Sequence, residues 1–163
     1  MDGIVKRDCS WEGNSEITSS DYEGLKKLVK LALSETAIVL VEGKCGTGKT
    51  RLLSRLFPEE NILAAKSKTI GSGKLDIKAI DRWKARIGSV AIDETDWLSR
   101  EQFDSLIESA VNGKKGIALA VQSIERYKEK ILKIKNDYGI SVLAIVLTKY
   151  NFDDEISEWS HYL

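Results

Sequence analysis

Residues 43–50 have the types and spacing of a turn that binds phosphate. They read Gly-Lys-Cys-Gly-Thr-Gly-Lys-Thr, which fits the pattern G-x-x-x-x-G-K-[ST] without a departure. Glycine permits backbone angles that let several N–H groups converge on one phosphate, and a helix that follows points the positive end of its dipole at the same place. Lys49 would supply a mobile positive charge for the outer phosphates, and the Thr50 hydroxyl would bind Mg2+.

The residues on either side of this turn predict the strand and the helix that it requires. Residues 37–41 are apolar and rich in β-branched side chains, and residues 50–57 have apolar side chains at helical spacing. We therefore predict that the turn binds the phosphates of a nucleotide. The predicted nucleotide-binding residues are the turn and the residue after it: Gly43, Lys44, Cys45, Gly46, Thr47, Gly48, Lys49, Thr50 and Arg51.

A second group of chemically capable residues follows a later apolar run. Val90-Ala91-Ile92 leads directly into Asp93 and Glu94. Ligands of open α/β sheets bind at the carboxyl ends of the strands, so Asp93 is expected beside the turn, where it would hold Mg2+ opposite Thr50. Glu94 would reach the outer phosphate and polarise a water molecule for attack. The alternative is a solvated loop after a strand, with no catalytic role.

Five apolar runs alternate with segments of helical pattern. The runs cover residues 37–41, 61–65, 89–92, 117–121 and 142–147, and they show little alternation of polar with apolar side chains. Such strands are covered on both faces, which predicts an α/β fold: a three-layer α/β/α sandwich with a mainly parallel five-stranded sheet. Ser99 with Gln102 predicts a capped helix start, and residues 124–138 are predicted to form one long helix.

The length and the low content of linker-type residues predict a single domain over residues 1–163. Residues 1–19 are interpreted as an N-terminal extension and residues 151–163 as an acidic and aromatic tail. We favour a short helix in the tail, capping the edge of the sheet. The alternative is a docking peptide for another protein.

Composition limits the class of protein. The 25 basic and 25 acidic residues balance, so bulk charge would not hold this chain on nucleic acid. The hydrophobic content of 42% is ordinary for a globular protein. No apolar run has the length of a membrane span, which predicts no membrane insertion, and the first residues lack the apolar core of a signal peptide. Cys9 and Cys45 make no disulfide framework, which favours a cytoplasmic location.

With both motifs in place, the chain resembles P-loop NTPases of the additional-catalytic-glutamate group, which includes RecA-like, FtsK/HerA-like and AAA+ ATPases. Residues 43–50 correspond to the Walker A motif and residues 90–94 to the Walker B motif. The resemblance implies the sheet order 5-1-4-3-2 and catalytic roles for Lys49, Glu94 and a polar sensor residue, Gln122. An ordinary glutamine at a strand end is the alternative for Gln122. Residues 148–163 are too few for the helical lid of AAA+ proteins, which favours the other two branches.

The resemblance implies a Mg-ATP-binding and ATP-hydrolysing protein, of the accessory or motor type, acting in DNA handling or assembly. A nucleotide-gated binding module with little turnover and a small-molecule phosphotransferase remain as alternatives. A GTPase would need an Asn-Lys-x-Asp segment, which residues 148–151 do not supply.

Two further surfaces could meet a partner. The basic segment Lys66–Arg86 could contact nucleic acid with Trp83 stacking on a base, although the balanced charge favours a solvated helix with Trp83 in the core. In ring ATPases a neighbouring subunit supplies an arginine to the site, and a homo-oligomer is possible here. Arg126, Arg100 and Arg86 are candidates that the sequence does not rank.

Overall fold

A twisted sheet with helices on both faces forms the centre of the molecule. The structure, a computed structural model, describes residues 17–19, 22–35, 37–44, 48–65, 77–151 and 156–162. The strands within these ranges are β1 (Ile17–Ser19), β2 (Ile38–Glu42), β3 (Ile62–Ala64), β4 (Val90–Asp93), β5 (Ile117–Val121), β6 (Val142–Asn151) and β7 (Ile156–Tyr162). The α-helices are α1 (Tyr22–Ser34), α2 (Lys49–Leu56), α3 (Ile77–Lys84), α4 (Arg100–Asn112) and α5 (Lys128–Tyr138).

The five predicted strands form the parallel part of the sheet in the predicted order. The full order is β1-β7-β6-β2-β5-β4-β3, and the pairs from β6 to β3 are all parallel. Numbered by their place among the five predicted strands, β6-β2-β5-β4-β3 is the order 5-1-4-3-2. The carboxyl ends of β2, β4 and β5 therefore lie side by side at one edge of the sheet.

Two apolar clusters, one on each face, make the three layers. On one face Val29 and Leu33 of α1 and Leu52 and Leu53 of α2 pack on the sheet. On the other face residues of α3, α4 and α5 pack on the alternate side chains of the same strands, among them Trp83, Phe103 and Ile131. Residues 38–41 are fully buried, because successive side chains enter opposite layers that are both covered.

The tail prediction is wrong. Residues 156–162 form a strand, β7, that pairs antiparallel with β6, and β1 pairs antiparallel with β7 in turn. A strand satisfies the backbone N–H and C=O groups along the outer edge of β6, which a helix packed on that edge would leave unpaired.

The start of α4 is as predicted, but the start of α5 is not. Ser99 and Gln102 form the predicted capping box at the start of α4, each side chain bonding the other residue's backbone N–H. The predicted helix over residues 124–138 is instead a 3-10 turn, Ile124–Arg126, followed by α5. Tyr127 interrupts it with φ −109° and ψ −7°, and the Tyr127 hydroxyl bonds the carboxylate of Asp96 in another loop.

Substituting Gly116 with alanine tests the close packing of α1 against the sheet. An added Cβ would lie 2.5 Å from the carbonyl oxygen of Leu33 and 2.8 Å from its Cα. Neither atom can rotate away, so we expect Gly116→Ala to lower the free energy of unfolding by about 1–3 kcal/mol, as overpacking does. Urea unfolding measures this change, with Gly113→Ala as the control because its Cβ would meet nothing closer than 3.1 Å. Equal unfolding free energies for the two variants would contradict the close approach.

Candidate functional site

The turn after β2 begins and ends at residues whose backbone is held in place. The N–H of Gly43 donates to the carbonyl oxygen of Val121 at 3.2 Å, which ties the start of the turn to the end of β5. Gly48 has φ 95° and ψ 16°, in the left-handed region that only glycine adopts at little cost, and α2 begins at the next residue. Cys45, Gly46 and Thr47 lie outside the described residues. The strand before this segment and the helix after it are as predicted, so α2 begins at the carboxyl edge of the sheet.

Lys49 reaches back over the turn. Its ammonium group donates to the carbonyl oxygens of Gly43 and, at 3.2 Å, of Lys44. The positive charge therefore lies at the mouth of the turn, where phosphate oxygens could take the place of these neutral acceptors. A charged acceptor binds an ammonium group more strongly than a carbonyl does. Arg51 follows in the first turn of α2 and is partly buried.

Thr50 and Asp93 meet between the two motifs, as predicted. The Thr50 hydroxyl donates to Oδ2 of Asp93 at 2.9 Å, and the other carboxylate oxygen, Oδ1, accepts the N–H of Glu94 at 2.9 Å. The exposed fraction of Asp93 is 8%, so this carboxylate is held in a fixed orientation. A hydroxyl and a single carboxylate suit Mg2+, which keeps several waters and takes further ligands from substrate phosphates. Across the described ranges, no group of three or more acidic, histidine or cysteine side chains could hold a metal by itself.

Glu94 begins a sharp turn after β4. It has φ 53° and ψ 48°, which is unusual for a residue with a side chain, and the 3-10 turn Thr95–Trp97 follows. The N–H of Trp97 donates to the carbonyl oxygen of Glu94 at 3.0 Å, closing the turn. Backbone of this kind is concentrated at functional sites. The Glu94 side chain is partly exposed, at the edge of the sheet that carries the turn after β2.

Gln122 follows the end of β5, as predicted, but its described bond is made by the backbone. Its N–H donates to Oδ2 of Asp96 at 2.9 Å, and its side chain is exposed. The Thr50–Asp93 bond thus brings the start of α2, with Lys49, next to the end of β4, where Glu94 follows. Gln122 is joined to this group by the bond from its backbone to Asp96.

The sequence analysis missed three residues near the site: Asp96, Tyr127 and Glu42. Asp96 also accepts the hydroxyl of Tyr127 at 2.7 Å and the guanidinium of Arg126 at 3.3 Å. Glu42, the last residue of β2, is 3% exposed and accepts the N–H of Ile124 at 2.8 Å. The charge of Glu42 at the end of an otherwise apolar strand, and of Asp96 soon after Asp93 and Glu94, were the available signals.

A cleft of about 710 Å³ opens between the N-terminal ends of α4 and α5. Its floor includes the stacked rings of Phe103 and Tyr127, whose centroids are 5.1 Å apart. Charged side chains of both signs line it: Arg100, Asp104, Arg126, Glu129, Lys130 and Lys133. Lys130 pairs with Asp104, and Arg126 pairs with Asp96.

The three arginines considered as contributions to a neighbouring site lie in different places. Arg126 is bound to Asp96 of its own chain, and Arg100 is exposed at the start of α4. Arg86 donates to Asn61, whose amide in turn bonds the carbonyl of Ser89. That places Arg86 at the amino ends of β3 and β4, the edge of the sheet opposite to the turn after β2.

The favoured interpretation of Trp83, as a core residue, is confirmed. Trp83 is 3% exposed, packs in the core and donates its ring N–H to the carbonyl oxygen of Ala91 at 3.0 Å. A ring buried in this way cannot stack on a base, and its spacing on α3 is that of a core residue. Of the basic segment Lys66–Arg86, residues 66–76 lie outside the described residues.

Tyr127 gives the site a measurable dependence on pH. Burial first, and then the hydrogen bond to Asp96, raise the pKa of the Tyr127 phenol well above its ordinary value near 10. The contribution of the protonated phenol to stability is fully present below pH 10 and is lost as the pH rises toward the folded-state pKa. We expect each pH unit above 10 to cost up to about 1.4 kcal/mol of unfolding free energy through this group.

Urea unfolding between pH 9 and 11 tests this expectation. Tyr127→Phe should show a shallower loss of stability over this range than the wild type. Tyr138→Phe is the control, because Tyr138 is an exposed tyrosine at the end of α5. Parallel losses in the wild type and Tyr127→Phe would show that the phenol titrates normally.

Two general findings complete the description. Within the described part of the chain, the helices are too short or too polar to cross a membrane. Comparison with protein-family models and with curated proteins finds no match to this chain.

Proposed function

We propose that this protein binds Mg-ATP at residues 43–51 and hydrolyses it. The observation that carries the proposal is the hydrogen bond between Thr50 and Asp93, which are 43 residues apart in the chain. It joins the two motifs at one point, where the resemblance to P-loop ATPases requires the metal-binding hydroxyl and carboxylate to meet. Neither motif alone distinguishes hydrolysis from simple phosphate binding.

Each residue of the site has its own role in the proposed reaction. The backbone N–H groups at the start of α2 and the Lys49 ammonium bind phosphate oxygens and balance the negative charge that builds up on them. Thr50 and Asp93 would hold Mg2+, which would supply positive charge to neutralise the phosphates. Glu94 orients a water molecule and accepts its proton at the side-chain carboxylate. The amide of Gln122 is a candidate donor to the phosphate oxygens.

The wider role follows only from the resemblance. On that basis we assign the hydrolysis to an accessory or motor-type task in DNA handling or assembly. A homo-oligomer would allow Arg100, which is exposed beside the cleft, to reach the site of a neighbouring copy.

Phosphate release from ATP by the purified protein, with and without Mg2+, tests the proposal. We expect turnover that requires Mg2+ and that GTP supports less well. Tight ATP binding with no phosphate release would favour the nucleotide-gated binding module. Turnover only after a small acceptor is added would favour the phosphotransferase. Absence of ATP binding would contradict all three.

A further inference from the structure

Asp96 connects the turn that carries Glu94 to the segment that follows β5. Oδ2 accepts the backbone N–H of Gln122, and Oδ1 accepts the hydroxyl of Tyr127 and one N–H of Arg126. The side chain is 18% exposed, so the protein rather than water sets its orientation. We propose that Asp96 is a positioning residue that holds the Glu94 turn against the carboxyl end of β5. The kinetic part of this inference rests on the proposed ATPase activity.

The Glu94 turn needs an external support. Its left-handed backbone costs about 1–2 kcal/mol for a residue with a side chain, so the turn relaxes unless its surroundings hold it. Its local bonds run to Asp93 and within the 3-10 turn, and Thr95 bonds the carbonyl of Ile92 at 3.3 Å. The parallel pairing of β4 with β5 ends at Ile92, so it places only the start of the turn. The contact from Asp96 to Gln122 adds a fixed point beyond that pairing.

The segment after β5 is held from the other side as well. Glu42, which directly precedes the phosphate-binding turn, accepts the N–H of Ile124. Two carboxylates thus accept backbone hydrogen bonds from residues 122–124: Glu42 at the end of β2 and Asp96 in the turn after β4. This shared segment adds to the Thr50–Asp93 bond and to the pairing of β2 and β4 with β5 in positioning the phosphate-binding turn relative to Glu94. A shift of about 1 Å between such groups can slow a reaction about 100-fold.

The three bonds of Asp96 are not equivalent. Arg126 is 59% exposed and its bond is 3.3 Å long, so this pair is expected to contribute little. Tyr127 is buried and stacked on Phe103, which anchors its hydroxyl. The bonds from Tyr127 and from the Gln122 amide are therefore the ones that position the turn.

Asp96→Asn tests the inference, because an amide presents one acceptor oxygen in place of two. We expect kcat for ATP hydrolysis to fall about 10- to 100-fold while the ATP dissociation constant changes by less than about threefold. Asp104→Asn is the matched control: Asp104 pairs with a cation at the rim of the same cleft but does not touch the β5 end. Equal kcat values for Asp96→Asn and the wild type would overturn the inference while leaving the proposed function intact.

A double variant distinguishes positioning from general damage to the fold. In Asp96→Asn/Tyr127→Phe the remaining amide oxygen has no competing hydroxyl, so it is available to the Gln122 N–H. We expect the double variant to be no slower than Asp96→Asn alone, because the two residues act through one network. Multiplied losses would show that the two residues act independently. Should Asp96→Asn fail to fold, Tyr127→Phe carries the same prediction with a smaller loss of kcat.

Amide hydrogen exchange gives a readout that does not depend on hydrolysis. Asp96→Asn should speed exchange in residues 94–97 and in residues 122–124 together, and Asp104→Asn should change neither segment. Unchanged exchange in residues 122–124 of Asp96→Asn would overturn the inference even if the wild type proved inactive. An inactive wild type with the expected exchange pattern would overturn the proposed function alone.

Discussion

Glu94→Gln is expected to hydrolyse ATP about 10²- to 10⁴-fold more slowly than the wild type while binding ATP with nearly the same affinity. The amide keeps the shape of the side chain but cannot accept a proton from water. Both residues carry a similar cost for the left-handed backbone at this position, so the turn itself is expected to be preserved. Steady-state phosphate release gives kcat, and an equilibrium titration with Mg-ATP gives the affinity.

Glu101→Gln is the control for this prediction. Glu101 is an exposed carboxylate in the first turn of α4, and the substitution makes the same chemical change on a different element. We expect its kcat to stay within about twofold of the wild type, as for most exposed substitutions. Retention of more than a third of wild-type kcat in Glu94→Gln would exclude Glu94 as the group that activates water.

Lys49→Ala is expected to weaken Mg-ATP binding about 10- to 100-fold, because hydrogen bonds to charged groups contribute about 1.5–3 kcal/mol. The ammonium group already lies at the mouth of the turn, bound to the carbonyl oxygens of Gly43 and Lys44. Its loss removes the positive charge closest to the predicted phosphate site. A fluorescent ATP analogue titrated in the presence of Mg2+ measures the change.

Arg55→Ala is the control that shows whether nucleotide affinity depends on the position of Lys49 or only on the total charge of α2. Arg55 lies on α2 as well, in the last turn, and the variant removes the same charge from the helix. We expect its affinity for the analogue to stay within about threefold of the wild type at physiological salt, where exposed charges a Debye length apart are largely screened. Equal weakening in both variants would mean that long-range attraction, and not contact with Lys49, holds the nucleotide.

Local sequence patterns predicted the parallel sheet because each run carries its own signal. Residues 117–121 are apolar on every side chain, and the structure buries all of them between two layers of helices. The capping box at Ser99 and Gln102 is equally local, since both bonds close within three residues. The order 5-1-4-3-2 came from the resemblance of the motifs and not from the patterns of the strands themselves.

Features that depend on distant partners were not predictable in this way. The sequence favoured Trp83 in the core, but only the structure shows that its ring N–H donates to the carbonyl oxygen of Ala91. The sequence pattern of the tail predicted a capping helix, whereas residues 156–162 form a strand because β6 offers an edge with which they can pair. Tyr127 interrupts a helical pattern at the point where its hydroxyl meets a carboxylate 31 residues away in the chain.

The sequence by itself determined which chemically capable groups this protein carries: the residue types and spacing of 43–50 predict a turn for phosphate, and Asp93 and Glu94 place two carboxylates after a buried strand. Only the tertiary structure decided that Thr50 and Asp93 touch, and that Asp96 and Glu42 hold the end of β5 between them. The physical reason is the separation along the chain over which each kind of interaction acts. Backbone propensity and side-chain periodicity act within a few residues, whereas a hydrogen bond across the sheet exists only after the strands have taken their order.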